Sequence, residues 1–264
     1  MGTNSTIDDV LAGRARWALV LGDCMPILSS MPDAAVAHVI TDPPYDEHTH
    51  KNARCDSNTI DGVAQKPTGV SFAALPDARG LAPTLVRVSK RWAVAFCTVE
   101  DIGAYRDGAG KSWVRSGVWD RVNPSPQLTG DRPGQAVEGI ALMHRAGKKR
   151  WNRGGGAAIW RFSVDRGIGS MDLDGRPEHD TPKPVGLMLA LVSDFSDAGE
   201  VVLDPFAGSA TTGVACLRLG RRFIGIEIDR ESYETSLERL VAEDNCQPVN
   251  AVRAGQIGLF GKAS

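Results

Sequence analysis

Residues 201–227 read VVLDPFAGSATTGVACLRLGRRFIGIE and predict a strand, a tight turn, a helix and a second strand in succession. The apolar run Val201–Leu203 predicts a buried strand that enters a turn of small residues, Asp204–Gly213. Ala210–Leu219 predicts the helix, and Phe223–Ile228 predicts the next strand. This order lets a ligand approach backbone N–H groups at the helix N-terminus.

The same alternation extends outward along the chain. Trp17–Leu21 and Ala35–Ile40 predict buried parallel strands that deliver polar residues at their carboxyl ends. Further helices are predicted over Ala78–Ser89, Pro184–Asp194 and Ser232–Glu243, and further strands over Trp92–Cys97, Val118–Trp119 and Gly139–Met143. The predicted fold is therefore α/β, a Rossmann-like, doubly wound and mostly parallel sheet in one domain over residues 1–264.

Two segments interrupt this pattern. Residues 46–67 carry charged and small polar residues directly after the second predicted strand, which favours a mobile loop beside the site. Residues 145–180 are rich in Gly, Arg, Asp and Pro, and their weak periodicity predicts an insertion on the surface of the main fold.

Composition excludes several classes of protein. Of the 264 residues, 42% are hydrophobic and 23% are charged, as in ordinary globular proteins. The apolar runs are too short to cross a bilayer and no secretory leader precedes them, so we expect a cytosolic protein without a membrane segment. Five cysteines without Cys-x-x-Cys spacing predict reduced thiols. The net charge of -2 gives no general attraction to a polyanion.

Glu227 ends the strand after the turn, about twenty residues on, where a carboxylate can accept hydrogen bonds from both ribose hydroxyls of a nucleoside. The turn and the carboxylate together indicate a nucleoside cofactor. A nucleotide-dependent oxidoreductase that uses Gly208 and Glu227 stays open at this point, as does a turn kept small only for helix packing.

A second pattern, Asp42-Pro43-Pro44-Tyr45, suits methylation of an amino group on a base. Such a nitrogen is a poor nucleophile, because its lone pair is delocalised into the ring. The Asp42 carboxylate and the Pro43 carbonyl can accept its two N–H bonds and free the lone pair. A base in a duplex must flip out to reach such a site, and Tyr45 can stack on it.

The segments HDTPKP (179–184), VLDPFAGS (202–209) and GRRFIGIE (220–227) resemble the β-class amino-methyltransferases of DNA. The order of the motifs, with the tetrapeptide before the cofactor turn, is also that of the β class. The resemblance implies S-adenosylmethionine as cofactor, double-stranded DNA as substrate and 145–180 as the main target-recognition insertion. It departs at Ala210, where the family usually has glycine.

By this resemblance, Lys183 meets the cofactor carboxylate, Phe206 to Ser209 border its methionine portion, Glu227 holds its ribose, and Asp23 contacts its adenine. Asp23 also suits a cap at a strand end. The implied cofactor-binding residues are Asp23, Cys24, Lys183, Asp204, Phe206, Ala207, Gly208, Ser209 and Glu227. The implied catalytic residues are Asp42, Pro43, Pro44 and Tyr45.

Family members with aspartate at the head of the tetrapeptide mostly modify adenine N6, whereas serine is commoner among those that act on cytosine N4. Asp42 therefore favours N6-adenine methylation, as in enzymes of restriction-modification systems. Cytosine N4, RNA and protein amides remain alternative targets, and a non-catalytic DNA-binding protein is a further alternative. β-class relatives often form homodimers, so we expect a homodimer.

Basic residues are concentrated between His144 and Arg166, with Trp151 and Trp160 among them. The predicted DNA-binding residues in this segment are Lys148, Lys149, Arg150 and Arg153. His48, His50 and Cys55 match no common zinc spacing, and methyl transfer needs no metal, so we expect none.

Overall fold

The computed structural model describes residues 5–44, 77–124, 126–164 and 183–246. Its helices are α1 (Ile7–Leu11), α2 (Cys24–Ser30), α3 (Ala78–Val88), α4 (Ile102–Ala109), α5 (Val185–Phe195), α6 (Thr211–Arg218) and α7 (Arg230–Asp244), and a 3-10 turn spans Gly110–Ser112. Its strands are β1 (Trp17–Leu21), β2 (His38–Thr41), β3 (Trp92–Cys97), β4 (Trp113–Arg121), β5 (Val137–His144), β6 (Ile159–Phe162), β7 (Val201–Asp204) and β8 (Arg222–Glu227). Tyr45, the predicted loop 46–67 and residues 165–180 of the predicted insertion lie outside the described residues.

The eight strands form one sheet in the order β1-β8-β7-β2-β3-β5-β4-β6. Every neighbouring pair is parallel except those that β5 makes with β3 and with β4. Helices connect the parallel strands and cover both faces, and β2, β3, β5, β7 and β8 are accordingly buried almost throughout. Strands β4 and β6 instead mix exposed and buried positions. The predicted mostly parallel α/β sheet is confirmed.

The sheet has two functionally different edges. Strands β2, β7 and β8 end at what we call the carboxyl edge, which carries Asp42, Asp204 and Glu227. At the opposite edge, the amino edge, β3 begins at Trp92 and the antiparallel β5 ends at His144, its partner in the ladder. The β4–β5 connection lies at the carboxyl edge, whereas the β5–β6 connection starts at the amino edge.

Close packing of α6 on the sheet depends on Gly213. A Cβ atom at Gly213 would lie 2.6 Å from Leu240 Cδ2 and 2.6 Å from the Phe223 ring. The side chains of α7 and β8 thus fill the space that any larger residue would need. This contact fixes the helix that follows the small-residue turn.

The elements that sequence patterns missed are short or irregular. Helices α1, α2 and α4 span 5, 7 and 8 residues, too few for a clear apolar period. Strand β6 lies inside the predicted 145–180 insertion and extends the sheet beyond β4. Among the described residues, no helix is both long and apolar enough to cross a membrane.

Candidate active site

A buried carboxylate links the predicted catalytic strand to the predicted cofactor turn. Thr41, which directly precedes Asp42, donates its hydroxyl to Asp204 Oδ1 at 2.7 Å. Thr212 at the start of α6 donates to Asp204 Oδ2 at 2.6 Å, and the Phe206 N–H donates to Oδ1 at 3.1 Å. Asp204 is only 2% exposed, and its carboxylate connects β2, the turn and α6. Its part in cofactor binding stays a prediction.

Burial raises the pKa of Asp204 to about 7, although its three hydrogen-bond donors act in the opposite direction. Because the pKa of Asp204 is higher in the native protein than in the unfolded chain, the native protein binds the proton more tightly. Stability is therefore lost as pH rises from the unfolded pKa through the native pKa. At about 1.4 kcal/mol per pKa unit, the free energy of unfolding should fall by roughly 3–4 kcal/mol between about pH 4 and 7.

Asp204→Asn should remove most of this pH dependence, because an amide does not titrate in this range. Its oxygen can still accept from one threonine hydroxyl, so the variant should fold. Denaturant unfolding of both proteins across that pH range measures the difference. Parallel stability curves for the two proteins would show that Asp204 is charged throughout the range.

Gly208 leaves the space above the turn open. Its φ is +50°, in the left-handed region, and a Cβ atom built there meets nothing within 4 Å. Its N–H donates to Glu227 Oε2 at 2.7 Å, and the Asp229 N–H donates to Glu227 Oε1 at 2.8 Å. Each carboxylate oxygen keeps a second lone pair for a ribose hydroxyl. Gly208 and Glu227 therefore lie in direct contact, and their binding of a nucleoside stays a prediction.

Ala210 shows how the chain accommodates its departure from the family pattern. It has φ +54° and ψ +34° and is fully buried at the position before α6. A residue with a side chain pays roughly 1–2 kcal/mol for this left-handed conformation. Ala210 therefore adopts a left-handed conformation that glycine would adopt without this cost.

The remaining predicted cofactor residues differ in their surroundings. Asp23 caps α2 at the end of β1, where Oδ1 accepts from the Met25 N–H at 2.9 Å. Cys24 is 5% exposed and belongs to the hydrophobic core, and burial raises the pKa of its thiol to about 12. Ala207 is also buried, whereas Phe206 and Ser209 are partly exposed. The structure thus gives Asp23 a capping role and Cys24 a packing role.

Lys183 lies against the predicted catalytic carboxylate. Its Nζ is 2.7 Å from Asp42 Oδ2 and 3.1 Å from Glu138 Oε2, and its side chain is 12% exposed. The ammonium also lies over the Phe96 ring, 4.9 Å from its centroid. Sequence reasoning assigned Lys183 to the cofactor; the structure brings it to Asp42.

Glu138 and Arg121 belong to the same cluster, and sequence reasoning missed both. Arg121 at the end of β4 donates to Glu138 Oε1 near the start of β5, and the Glu138 side chain is 8% exposed. The available signal was a single acid at the head of the apolar strand Val137–His144.

The four predicted DNA-binding residues lie at the amino edge, away from Asp42. The Arg150 carbonyl accepts from Trp92 Nε1 at 2.6 Å, and Trp92 begins β3. Strand β3 has six residues, so about 20 Å separates this end from the carboxyl edge. Arg150 is paired with Asp197 at 3.0 Å and Arg153 with Asp194 at 3.7 Å, while Lys148 and Lys149 are exposed. This placement puts the four residues at the end of the sheet opposite Asp42, and their role in DNA binding stays a prediction.

Among the described residues, no group of three His, Cys, Asp or Glu side chains could hold a metal ion. His48, His50 and Cys55 lie outside that part of the chain.

Comparison with known sequences identifies relatives of the same kind. The N6_N4_Mtase family model, described as a DNA methylase, matches residues 108–238. The Type II methyltransferase M.HinfI of Haemophilus influenzae is 25% identical over 244 residues, covering 84% of this chain and 67% of that protein. The Type II methyltransferase M2.DpnII of Streptococcus pneumoniae is 28% identical over 158 residues, covering 55% of this chain but only 58% of that protein.

Solved structures share the fold. The M1.HpyAVI–SAM complex matches with a TM-score of 0.61 at 23% identity, covering 85% of this chain and 98% of that one. The cytosine-N4-specific PvuII DNA methyltransferase matches with a TM-score of 0.67 at 15% identity, covering 95% and 94%.

The matching family model covers the segment that contains the cofactor turn, and the Type II relatives and the shared fold indicate the same kind of enzyme. The chain therefore belongs to the S-adenosylmethionine-dependent DNA amino-methyltransferases, the family that modifies adenine N6 or cytosine N4.

Proposed function

We propose that this chain methylates the N6 amino group of adenine in double-stranded DNA, on a base flipped out of the helix. The observation that supports this most strongly is the hydrogen-bonded link from Thr41 through Asp204 to Thr212. Thr41 precedes Asp42, and Asp204 opens the cofactor turn, so the link holds the acceptor for the amino group beside the turn. An oxidoreductase would leave the tetrapeptide that begins at Asp42 unexplained.

The proposed chemistry depends on alignment. Asp42 accepts one N–H of the adenine amino group, and the Pro43 carbonyl accepts the other, which directs the nitrogen lone pair out of the ring plane. S-adenosylmethionine supplies a methyl group on a sulfonium sulfur that leaves readily, so the chain needs no nucleophile of its own. Orientation of this kind contributes on the order of 7–11 kcal/mol. Pro44 stiffens the segment, and Tyr45 stacks on the flipped base.

Adenine is favoured over cytosine by the identity of residue 42, because aspartate at this position is commonest in the adenine-specific members. The similarity to PvuII methyltransferase, named as cytosine-N4-specific, stands at 15% identity and speaks for the fold alone. Incubating the purified protein with labelled methyl donor and with DNA, RNA or protein tests which class of polymer accepts the methyl group. Label in RNA or protein but not in DNA would overturn the proposal.

We propose that DNA contacts the carboxyl edge through the β4–β5 connection, of which residues 122–124 and 126–136 are described. Asn123 ties this connection to the segment after β6, since its Oδ1 accepts from the Val164 N–H at 2.7 Å. Val122 is 62% exposed and Leu128 84% exposed. Gln127 and Arg132 lie on the same connection, and amide and guanidinium groups can read base edges.

Replacing Lys148, Lys149, Arg150 and Arg153 together with alanine should therefore leave DNA affinity and its salt dependence unchanged. Each lost phosphate contact would flatten the plot of log affinity against log salt by about 0.9. Gln127→Ala combined with Arg132→Ala should weaken DNA binding instead. Fluorescence anisotropy from 50 to about 200 mM salt compares the variants. A slope flattened by about two units in the quadruple variant would return the DNA contact to the amino edge.

We also propose that the protein forms a homodimer. Light scattering of the active protein measures its mass.

A further inference from the structure

We infer that Glu138 is a positioning residue that holds Lys183 against the carboxylate of the proposed catalytic residue Asp42. The inference rests on the proposed amino-group methylation. It assigns to the β5 strand a part in the reaction that neither the motifs nor the comparisons assign.

The contacts form a chain that leads to Asp42. Arg121 donates to Glu138 Oε1, and Lys183 Nζ lies 3.1 Å from Glu138 Oε2. The same Nζ lies 2.7 Å from Asp42 Oδ2. Each oxygen of Glu138 thus faces one cation, and one of those cations is shared with Asp42.

Aromatic rings restrict where the ammonium of Lys183 can lie. It is 4.9 Å from the centroid of Phe96 and 5.8 Å from that of Trp119, both within the range of cation–π attraction. Trp119 pairs with Glu138 across the β4–β5 ladder. A lysine stem is flexible by itself, so the rings and Glu138 together select one position of its tip.

The buried charge of Glu138 has no evident value for the fold. Its side chain is 8% exposed on a strand whose following residues are all buried, where an apolar residue would pack well. Buried ion pairs seldom stabilise a protein more than apolar residues of similar volume do. The buried charges are explained if the cluster positions Asp42, whose side chain is 34% exposed at the carboxyl edge.

Two possible roles of Lys183 predict different effects of replacing it. A lysine that only bound the cofactor carboxylate would change cofactor affinity when replaced. A lysine that fixes the Asp42 carboxylate changes the rate at saturating cofactor and DNA. Glu138 acts through Lys183, so its loss should have the second effect and not the first.

The test compares Glu138→Gln, Glu138→Asp, Lys183→Met and Lys183→Arg with Glu200→Gln as matched control. Glu200 also contacts two basic side chains, Arg91 Nη1 at 3.1 Å and His38 Nε2 at 2.9 Å, and accepts from the Asp197 N–H, but it lies at the amino edge. For each protein we would measure the single-turnover rate on DNA, the dissociation constant for S-adenosylmethionine by calorimetry, and the melting temperature. The double variant Glu138→Gln/Lys183→Met completes a double-mutant cycle in the rate and in the melting temperature.

We expect Glu138→Gln and Lys183→Met to lower the rate by roughly 10- to 100-fold, with cofactor affinity within threefold, a loss of the size given by misplaced reacting groups. Glu138→Asp and Lys183→Arg should recover part of the rate, the double variant should be no slower than the worse single variant, and Glu200→Gln should react at the wild-type rate.

A folded Glu138→Gln protein with the wild-type rate, additive losses in the cycle, or an equal loss in Glu200→Gln would overturn the inference. A wild-type protein that transfers no methyl to DNA would instead overturn the proposed function, and the melting-temperature cycle would still decide whether Glu138 and Lys183 are coupled.

Discussion

Asp42→Ala is expected to lower the rate of methyl transfer to DNA by roughly 10²- to 10⁴-fold, the range found for a lost proton acceptor. The Asp42 side chain is 34% exposed at the carboxyl edge, where it can meet a base, and it follows the strand that Thr41 anchors to Asp204. Affinity for S-adenosylmethionine should stay within a few fold, because the Gly208–Glu227 contact of the cofactor turn remains intact. Single-turnover kinetics and calorimetry on the same preparation measure both quantities.

Asp42→Asn is the conservative partner of this variant. It keeps the shape and one carbonyl acceptor but loses the charge that Lys183 faces at 2.7 Å. Its rate should fall between those of Asp42→Ala and the wild type. Loss of cofactor binding in either variant, with little change in rate once cofactor is saturating, would assign Asp42 to the cofactor.

Glu227→Gln is expected to weaken S-adenosylmethionine binding by roughly 10- to 100-fold, equivalent to a charged hydrogen bond of about 1.5–3 kcal/mol. The amide oxygen can still accept the Gly208 N–H, so this contact of the turn should persist, whereas the Asp229 N–H loses its acceptor. The rate at saturating cofactor should change much less than the affinity, since Glu227 does not touch the base in the proposed arrangement. Calorimetry with Glu200→Gln as control measures the effect.

The pH dependence of cofactor binding gives an independent check on Glu227. Burial raises the pKa of its carboxyl, although the backbone N–H groups of Asp229 and Gly208 act against this. Ribose hydroxyls donate to the charged form, so cofactor binding should release protons in mildly acidic buffer. Glu227→Gln should abolish that release. Identical cofactor affinity in the variant and the wild type would contradict the assignment.

The regular part of the fold could be predicted from the sequence because its strands are apolar runs with polar residues at their ends. Trp92–Cys97 was predicted with the observed bounds, and the helix predicted over Ala78–Ser89 differs from α3 by one residue. The predicted bounds of a strand were wrong where the strand is amphipathic. Strand β4 spans nine residues and mixes exposed and buried positions, so only its apolar pair Val118–Trp119 was recognised.

The cofactor turn was predictable because one short segment holds most of it. Gly208 and Glu227 are 19 residues apart in sequence and in direct contact, as a strand–turn–helix–strand unit requires. The contact between Thr41 and Asp204 joins residues 163 positions apart. That contact depends on β2 lying beside β7, which no local pattern reveals.

Charge patterns do not reveal at which end of the sheet a segment lies. Lys148 to Arg153 lie in the most basic segment, and their charge together with the family's recognition region favoured DNA contact. Strand β5 runs antiparallel to β3, however, and this reversal carries the segment to the amino edge. Glu138 was missed because a single acid in an apolar strand forms no sequence pattern. Its role can be recognised only when the structure shows its ion pairs with Arg121 and Lys183.

The most direct test of the account is the nucleoside composition of DNA from cells that lack other adenine and cytosine-N4 methyltransferases and express either this protein or its Asp42→Ala variant. Mass spectrometry of the digested DNA should detect N6-methyladenine with the wild-type protein and none with the variant. N4-methylcytosine in place of N6-methyladenine would contradict the proposed target base. DNA without either modified base, from cells in which the wild-type protein is folded and abundant, would contradict the proposed methylation of DNA.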